Sequence, residues 1–138
     1  MTTRMRAVRA LVLAGAALLT AGTVPADAVP RTSHAGDWLH LTVTHGDVAT
    51  GGTRGALLLC DPPGGHPHAA RACEELDAAH GDISRIPPAP DAVCSLIYAP
   101  VTASAQGVWD GRRIDYTHTF SNSCVMEAET GAVFALTD

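Results

Sequence analysis

The 138-residue chain carries 9 arginines and no lysine against 14 acidic residues, a formal net charge of −5. That balance excludes the basic surfaces that grip nucleic-acid backbones or anionic membranes. Four cysteines behind an apolar amino end indicate a small exported domain rather than a cytosolic enzyme.

The amino end comes first. Arg4, Arg6 and Arg9 lead into ALVLAGAALLT, an apolar run too short to span a bilayer comfortably. The small-residue pattern ADA at residues 26–28 fits a signal peptidase site. We therefore expect a signal peptide over residues 1–28, cleaved after Ala28, and one mature domain over residues 29–138. Losing Arg4, Arg6, Arg9 and Asp27 leaves 6 basic and 13 acidic residues, a formal net charge of −7.

Apolar Leu39, Leu41 and Val43 alternate with His40, Thr42 and Thr44, the pattern of a half-buried strand. TRGALLLC predicts a second strand ending at Cys60. The prolines and glycines of DPPGGHPH predict irregular chain. AARACEELDAAHG predicts a helix with Ala72, Leu76 and Ala79 on one face and Gly81 at its carboxyl end. DISRIPPAPDAV is too rich in proline for regular structure and leads into CSLIYAP, residues 94–100. Asp110-Gly111 predicts a two-residue hairpin turn, followed by an arm on which Ile114, Tyr116, His118 and Phe120 alternate with polar residues. VMEAET predicts a short helix or turn, and AVFALT a final strand. The sum is an α+β chain with an antiparallel sheet of about five strands, one clear helix and a second short one.

All four cysteines lie in the mature part, which in an oxidising compartment means two disulfides with three possible pairings. Sequential pairing, Cys60 with Cys73 and Cys94 with Cys124, closes loops of 13 and 30 residues. Chain entropy credits such loops with roughly 3 and 4 kcal/mol. The spacings lack the close cysteine pair of structural zinc sites, so no metal is expected there. No catalytic constellation assembles either. Ser95 has no nucleophile-elbow glycines around it, and the HPH histidines, His66 and His68, read as surface polar residues. His118 reads as part of a partly buried sheet face, and Trp38 and Trp109 as core or sheet packing. Nothing calls for a cofactor.

That leaves residues 94–100. Leu96, Ile97 and Tyr98 stand between stiffening prolines, with Cys94 as a covalent tether. A segment so restrained has little entropy left to lose on binding, which suits an extended loop offered to a protease cleft. An ordinary buried strand is the competing reading.

LTVTHG, CDPPGGHPHAARAC, DAVCSLIYAPV, GVWDGRRIDYTHTFSNSCVME and GAVFAL, in that order and cysteine spacing, resemble the Streptomyces subtilisin inhibitor family from about Leu39 to Leu136. The resemblance implies a two-layer α/β sandwich with a five-stranded antiparallel sheet, one long and one short helix, and sequential disulfides. It implies a secreted inhibitor of serine proteases, chiefly subtilisin-like and secondarily chymotrypsin-like, that is no enzyme itself and usually forms a homodimer through its sheets. The reactive bond would lie between Leu96 and Ile97, with Leu96 in the specificity pocket. Cys94 and Ser95 would contact the protease on the amino side, Tyr98 and Ala99 on the other, with Asn122 and Pro100 supporting the loop. The chain departs from the best-known pattern in having Ser95 for a proline and Ala99 for an aspartate. Those two departures define the alternative, an extracellular binding or structural domain that keeps the scaffold without inhibiting.

Overall fold

In strand β1 (Trp38–His45) the expected alternation is complete: Leu39, Leu41 and Val43 are buried, and the residues between them reach solvent. The computed structural model describes residues 36–46 and 52–137; the expected signal peptide, with its expected cleavage point and the expected start of the mature domain, lies outside the described residues. β1 is flanked by β2 (Thr53–Cys60) and β4 (Val101–Trp109), both antiparallel to it, with Leu39 facing Leu58 on one side and Gly107 on the other. Asp110 and Gly111 turn the chain with φ of 48° and 71°, the paired positive values of a type I′ hairpin, into β5 (Arg112–Phe120). The fifth strand is β3 (Pro63–Gly64), two residues paired to the end of β2, giving the order β3-β2-β1-β4-β5.

One face of this sheet is apolar. Leu39, Leu41, Leu58, Val101, Ala103, Ala105, Trp109 and Phe120 pack there against Ala72 and Leu76 of helix α1 (Ala69–Ala78) and Met126 of α2 (Ser123–Thr130). The result is the α+β sandwich expected from the sequence, one longer helix and one shorter. Gly81 closes α1 by donating its N–H to the Leu76 carbonyl (2.8 Å). The opposite sheet face is largely polar, with hydroxyl pairs such as Thr102 to Thr119 (2.8 Å) between strands.

Several details differ from expectation. AVFALT is not a strand: Gly131–Phe134 forms a 3-10 turn. Ala132, Val133 and Phe134 are buried consecutively, which a strand with one solvent face does not allow. DPPGGHPH contributes the two-residue β3, and β4 begins at Val101, well before GVW. His66 is buried, not a surface group, whereas His118 is exposed, its ring edge-on to Phe120 at 4.5 Å between centroids. Trp109 is in the core and Trp38 is half-buried on the outward face.

The 3-10 turn is fastened to α1. Glu75 accepts from the Ala132 N–H (2.6 Å) through one carboxylate oxygen and from Arg71 Nε (3.0 Å) through the other. Gly131, at φ 59° and ψ −139°, leaves no room for a Cβ, which would run into that carboxylate. Gly131→Ala therefore combines forbidden backbone with a clash, and should lower stability by about 1–3 kcal/mol in urea unfolding.

His66 fastens the same turn from the other side. Its Nε2 donates to the Val133 carbonyl (3.1 Å), and Nδ1 accepts the His68 N–H (2.9 Å), which requires the neutral ring. Burial lowers its pKa, opposed by the bond to Val133 and reinforced by His68. Stability from this group is complete above the unfolded pKa of about 6.5 and falls as the pH drops below it. The slope is at most about 1.4 kcal/mol per pH unit until the folded pKa is reached. Melting curves at pH 8 and pH 5 should show a larger acid loss for the wild type than for His66→Gln.

Candidate functional site

Residues 86–100 form no helix or strand, as the prolines dictate, yet they are tied down along most of their length. The Ala89 N–H donates to the carbonyl of Ala128 (2.7 Å), laying the incoming arm along α2. Cys94 is bonded to Cys124 in the first turn of α2, with Cα atoms 5.6 Å apart, while Cys60 and Cys73 join β2 to α1.

Asn122 does most of the remaining work. It caps α2, its Oδ1 accepting from the Val125 N–H (3.0 Å). Its Nδ2 donates to the carbonyls of both Ser95 and Ile97, each at 3.1 Å. Both amide protons and one of the two oxygen lone pairs are used, and the residue is buried. Leu96, between the two clamped carbonyls, makes no hydrogen bond among the described residues and is fully exposed, with a relative accessibility of 102%.

On the far side the Ala99 N–H donates to the Ser121 carbonyl (2.9 Å), and the Pro100 carbonyl accepts from the Gly46 N–H (2.8 Å). The chain then enters β4. The expected residues are thus gathered into one site: Cys94, Ser95, Leu96, Ile97, Tyr98, Ala99 and Pro100 on the loop, Asn122 and Cys124 beneath it. The buried-strand reading of residues 94–100 is excluded, since Leu96, Ile97 and Tyr98 all face solvent.

Val93 is the apolar loop residue that the sequence reasoning passed over; it is 94% exposed. With Leu96, Ile97 and Tyr98 it makes up the large exposed hydrophobics among the described residues. Holding four such side chains in water forgoes burial worth about 1.5–3 kcal/mol for each, a cost that burial in a partner would recover. Residues 93–100 contain no acidic or basic side chain, so recognition here rests on shape, apolar contact and backbone hydrogen bonds. Among the described residues no group of three His, Cys, Asp or Glu side chains could hold a metal, and both ring nitrogens of His66 are already engaged.

Asn122→Asp keeps the helix cap but sets a carboxylate, which has no donor, against two carbonyl oxygens. It should loosen the loop while leaving α2 capped. Exchange of the Ala99 amide, which is bonded to the Ser121 carbonyl, should accelerate about 10-fold or more, with little change in α1 or the central strands. Equal acceleration throughout the domain would contradict the assignment.

Residues 35–122 match the family described as subtilisin inhibitor-like. A Streptomyces avermitilis protein is 54% identical over 138 residues, covering 100% of this chain and 92% of that one. A subtilase-type protease inhibitor of Streptomyces coelicolor is 44% identical over 126 residues, covering 88% of this chain and 84% of its own. The crystal structure of Streptomyces caespitosus sermetstatin in complex with Bacillus licheniformis subtilisin superposes with a TM-score of 0.60 at 37% identity, over 72% of this chain and 97% of that one. Sequence, cysteine framework and fold agree: the chain belongs to the subtilisin inhibitor-like family.

Proposed function

We propose that this protein is a secreted inhibitor of subtilisin-type serine proteases, acting as a substrate mimic through the bond between Leu96 and Ile97. The observation that carries the reading is the clamp: one buried amide holds the carbonyls on either side of Leu96, and Leu96 itself is unbonded and projects into solvent. Leu96 fills the specificity pocket of the protease. Cys94 and Ser95 lie along the amino-side subsites, and Ile97, Tyr98 and Ala99 along the others.

The catalytic serine attacks the Leu96 carbonyl carbon, and its proton passes to the Ile97 nitrogen as the C–N bond breaks. The acyl group is then an ester on the serine, which water can hydrolyse to the Leu96 carboxylate and free serine. Neither end departs. The disulfide from Cys94 to Cys124 and the bond to Ser95 retain the acyl side; the bonds to Ile97 and Ala99 retain the amine side. The amine therefore stays beside the acyl carbon, so the bond re-forms in competition with hydrolysis. Affinity follows from preorganisation, because the loop is already ordered before it meets the protease.

Ser95 and Ala99 stand where the best-known members have proline and aspartate. The structure lessens the loss of the proline, since the Ser95 carbonyl is held by Asn122 without it. An apolar Leu96 suits apolar pockets, chymotrypsin-like ones included, and disfavours trypsin-like enzymes, whose pocket carboxylate would be desolvated without a cation.

The same reading includes a homodimer joined through the sheets. Trp38 lies beside Leu59 on one neighbouring strand and Val108 on the other, making a half-buried apolar patch on the outward face. Sedimentation at micromolar concentration should give twice the chain mass, and a monomer would remove the dimer without touching the inhibitory claim.

Titration of subtilisin with the mature protein should give stoichiometric inhibition. Leu96→Gly should weaken it roughly 10- to 100-fold through lost apolar burial, and Leu96→Lys should turn the preference toward trypsin. Digestion of the wild type without inhibition would leave the non-inhibitory scaffold as the correct reading.

A further inference from the structure

The sheet face turned away from the helices has a composition of its own. Its positions run in alternate residues from Trp38 to Thr44 on β1, Thr53 to Leu59 on β2 and Thr102 to Val108 on β4. None of these positions holds an acidic side chain or an arginine, although the chain carries 9 arginines and 14 acidic residues. The charges of this face, Arg113 and Asp115, stand on the edge strand β5. A charge-poor centre with charges at the rim is the composition of a protein interface.

Four strands of eight or nine residues, about 4.8 Å apart and rising about 3.4 Å per residue, make a face of about 500 Å². Two such faces laid together hide about 1,000 Å², enough for a specific pairing. A partner of opposite charge has nothing to hold in the centre of this face, whereas a second copy offers the same neutral surface. A twofold pair brings the same patch of each copy together, so the corner of Trp38, Leu59 and Val108 covers itself and the axis lies beside it. His40 is two residues from Trp38 on the same strand and face, about 7 Å along. Its ring, exposed in the single chain, is then enclosed near the same ring of the second copy.

We propose that two copies of the chain join through this face and that protonation of His40 separates them. The inference rests on the homodimer of the reading given above and deepens it; the inhibitory bond is not involved. A neutral imidazole can be covered, whereas two imidazolium rings near the axis repel each other and lose their water. Among the described residues no carboxylate adjoins His40 on this face to offset them. Leu57 and Gln106 flank it, and Asp115 lies beyond Gln106, about 10 Å away. The Asp37 carboxylate, just before β1, accepts from the Asp110 N–H (2.7 Å), and Arg113 adds a further positive charge. Imidazole is the side chain that gains its proton between pH 8 and pH 5, so the pair weakens across that range.

Sedimentation of the mature chain across micromolar concentrations gives the dimer dissociation constant at pH 8 and at pH 5.5. For the wild type it should rise about 10-fold or more in acid, since separation of each pair takes up two protons. His40→Thr, which continues the threonines of β1, should change by less than about threefold. His40→Arg, charged at both pH values, should pair as weakly at pH 8 as the wild type does in acid. The acid loss of the His66 contacts is common to all three chains, so the difference between wild type and His40→Thr isolates His40. Should His40→Thr not pair at pH 8, His40→Gln takes its place. A wild-type constant that does not move with pH, an equal shift in the uncharged variant, or tight pairing of His40→Arg at pH 8 would overturn the proposal while leaving the homodimer. A wild type that is monomeric at pH 8 would remove the homodimer and the proposal with it, without touching the inhibitory claim.

Discussion

The carboxamide of Asn122 is the group on which the working part of this molecule depends. Its oxygen starts helix α2 and its two N–H groups hold the carbonyls of Ser95 and Ile97. A single planar group thereby fixes the distance between a helix and both flanks of the exposed Leu96. Because the amide is buried and both its N–H groups are engaged, the loop cannot shift without leaving polar atoms unpaired, which costs about 1–3 kcal/mol for each. The disulfide beside it sets where the arm passes; the amide sets how the backbone is turned.

The remainder of the fold holds that amide still. Asn122 lies two residues past the end of β5, whose last residue, Phe120, is buried in the core. α2 is fixed at its far end by the 3-10 turn, which Glu75 and His66 secure from α1 and the preceding loop. Rigid elements thus lie beneath a segment that has no regular structure of its own. This is the arrangement that lets a short loop bind in an extended form without a large entropic cost.

Much of this was legible in the sequence, where a local rule was decisive. Alternation gave β1, the Asp110-Gly111 pair gave the hairpin, and the spacing of Ala72, Leu76 and Ala79 gave the face of α1. What escaped were features made by distant partners. His66 looks like a surface histidine until the Val133 carbonyl, 67 residues away, is placed on its ring. Val133 and Phe134 look like strand residues until Glu75 caps the turn that buries them. β4 was under-read because its core-facing residues include Ala103 and Ala105, whose small side chains give a faint hydrophobic alternation. At the site, resemblance indicated Asn122 and the loop, but backbone contacts such as Gly46 to Pro100 leave no side-chain signature at all.

The central claim is that both sides of the bond after Leu96 stay in place once it is cut. The direct test begins with inhibitor already cleaved between Leu96 and Ile97, purified with both disulfides intact and mixed with a catalytic amount of subtilisin. The account predicts that the intact chain reappears, and that the ratio of intact to cut protein converges on one value from either starting point. If the cut chain stays cut, or is degraded further, the tethering described here does not hold the ends together and the mechanism is wrong.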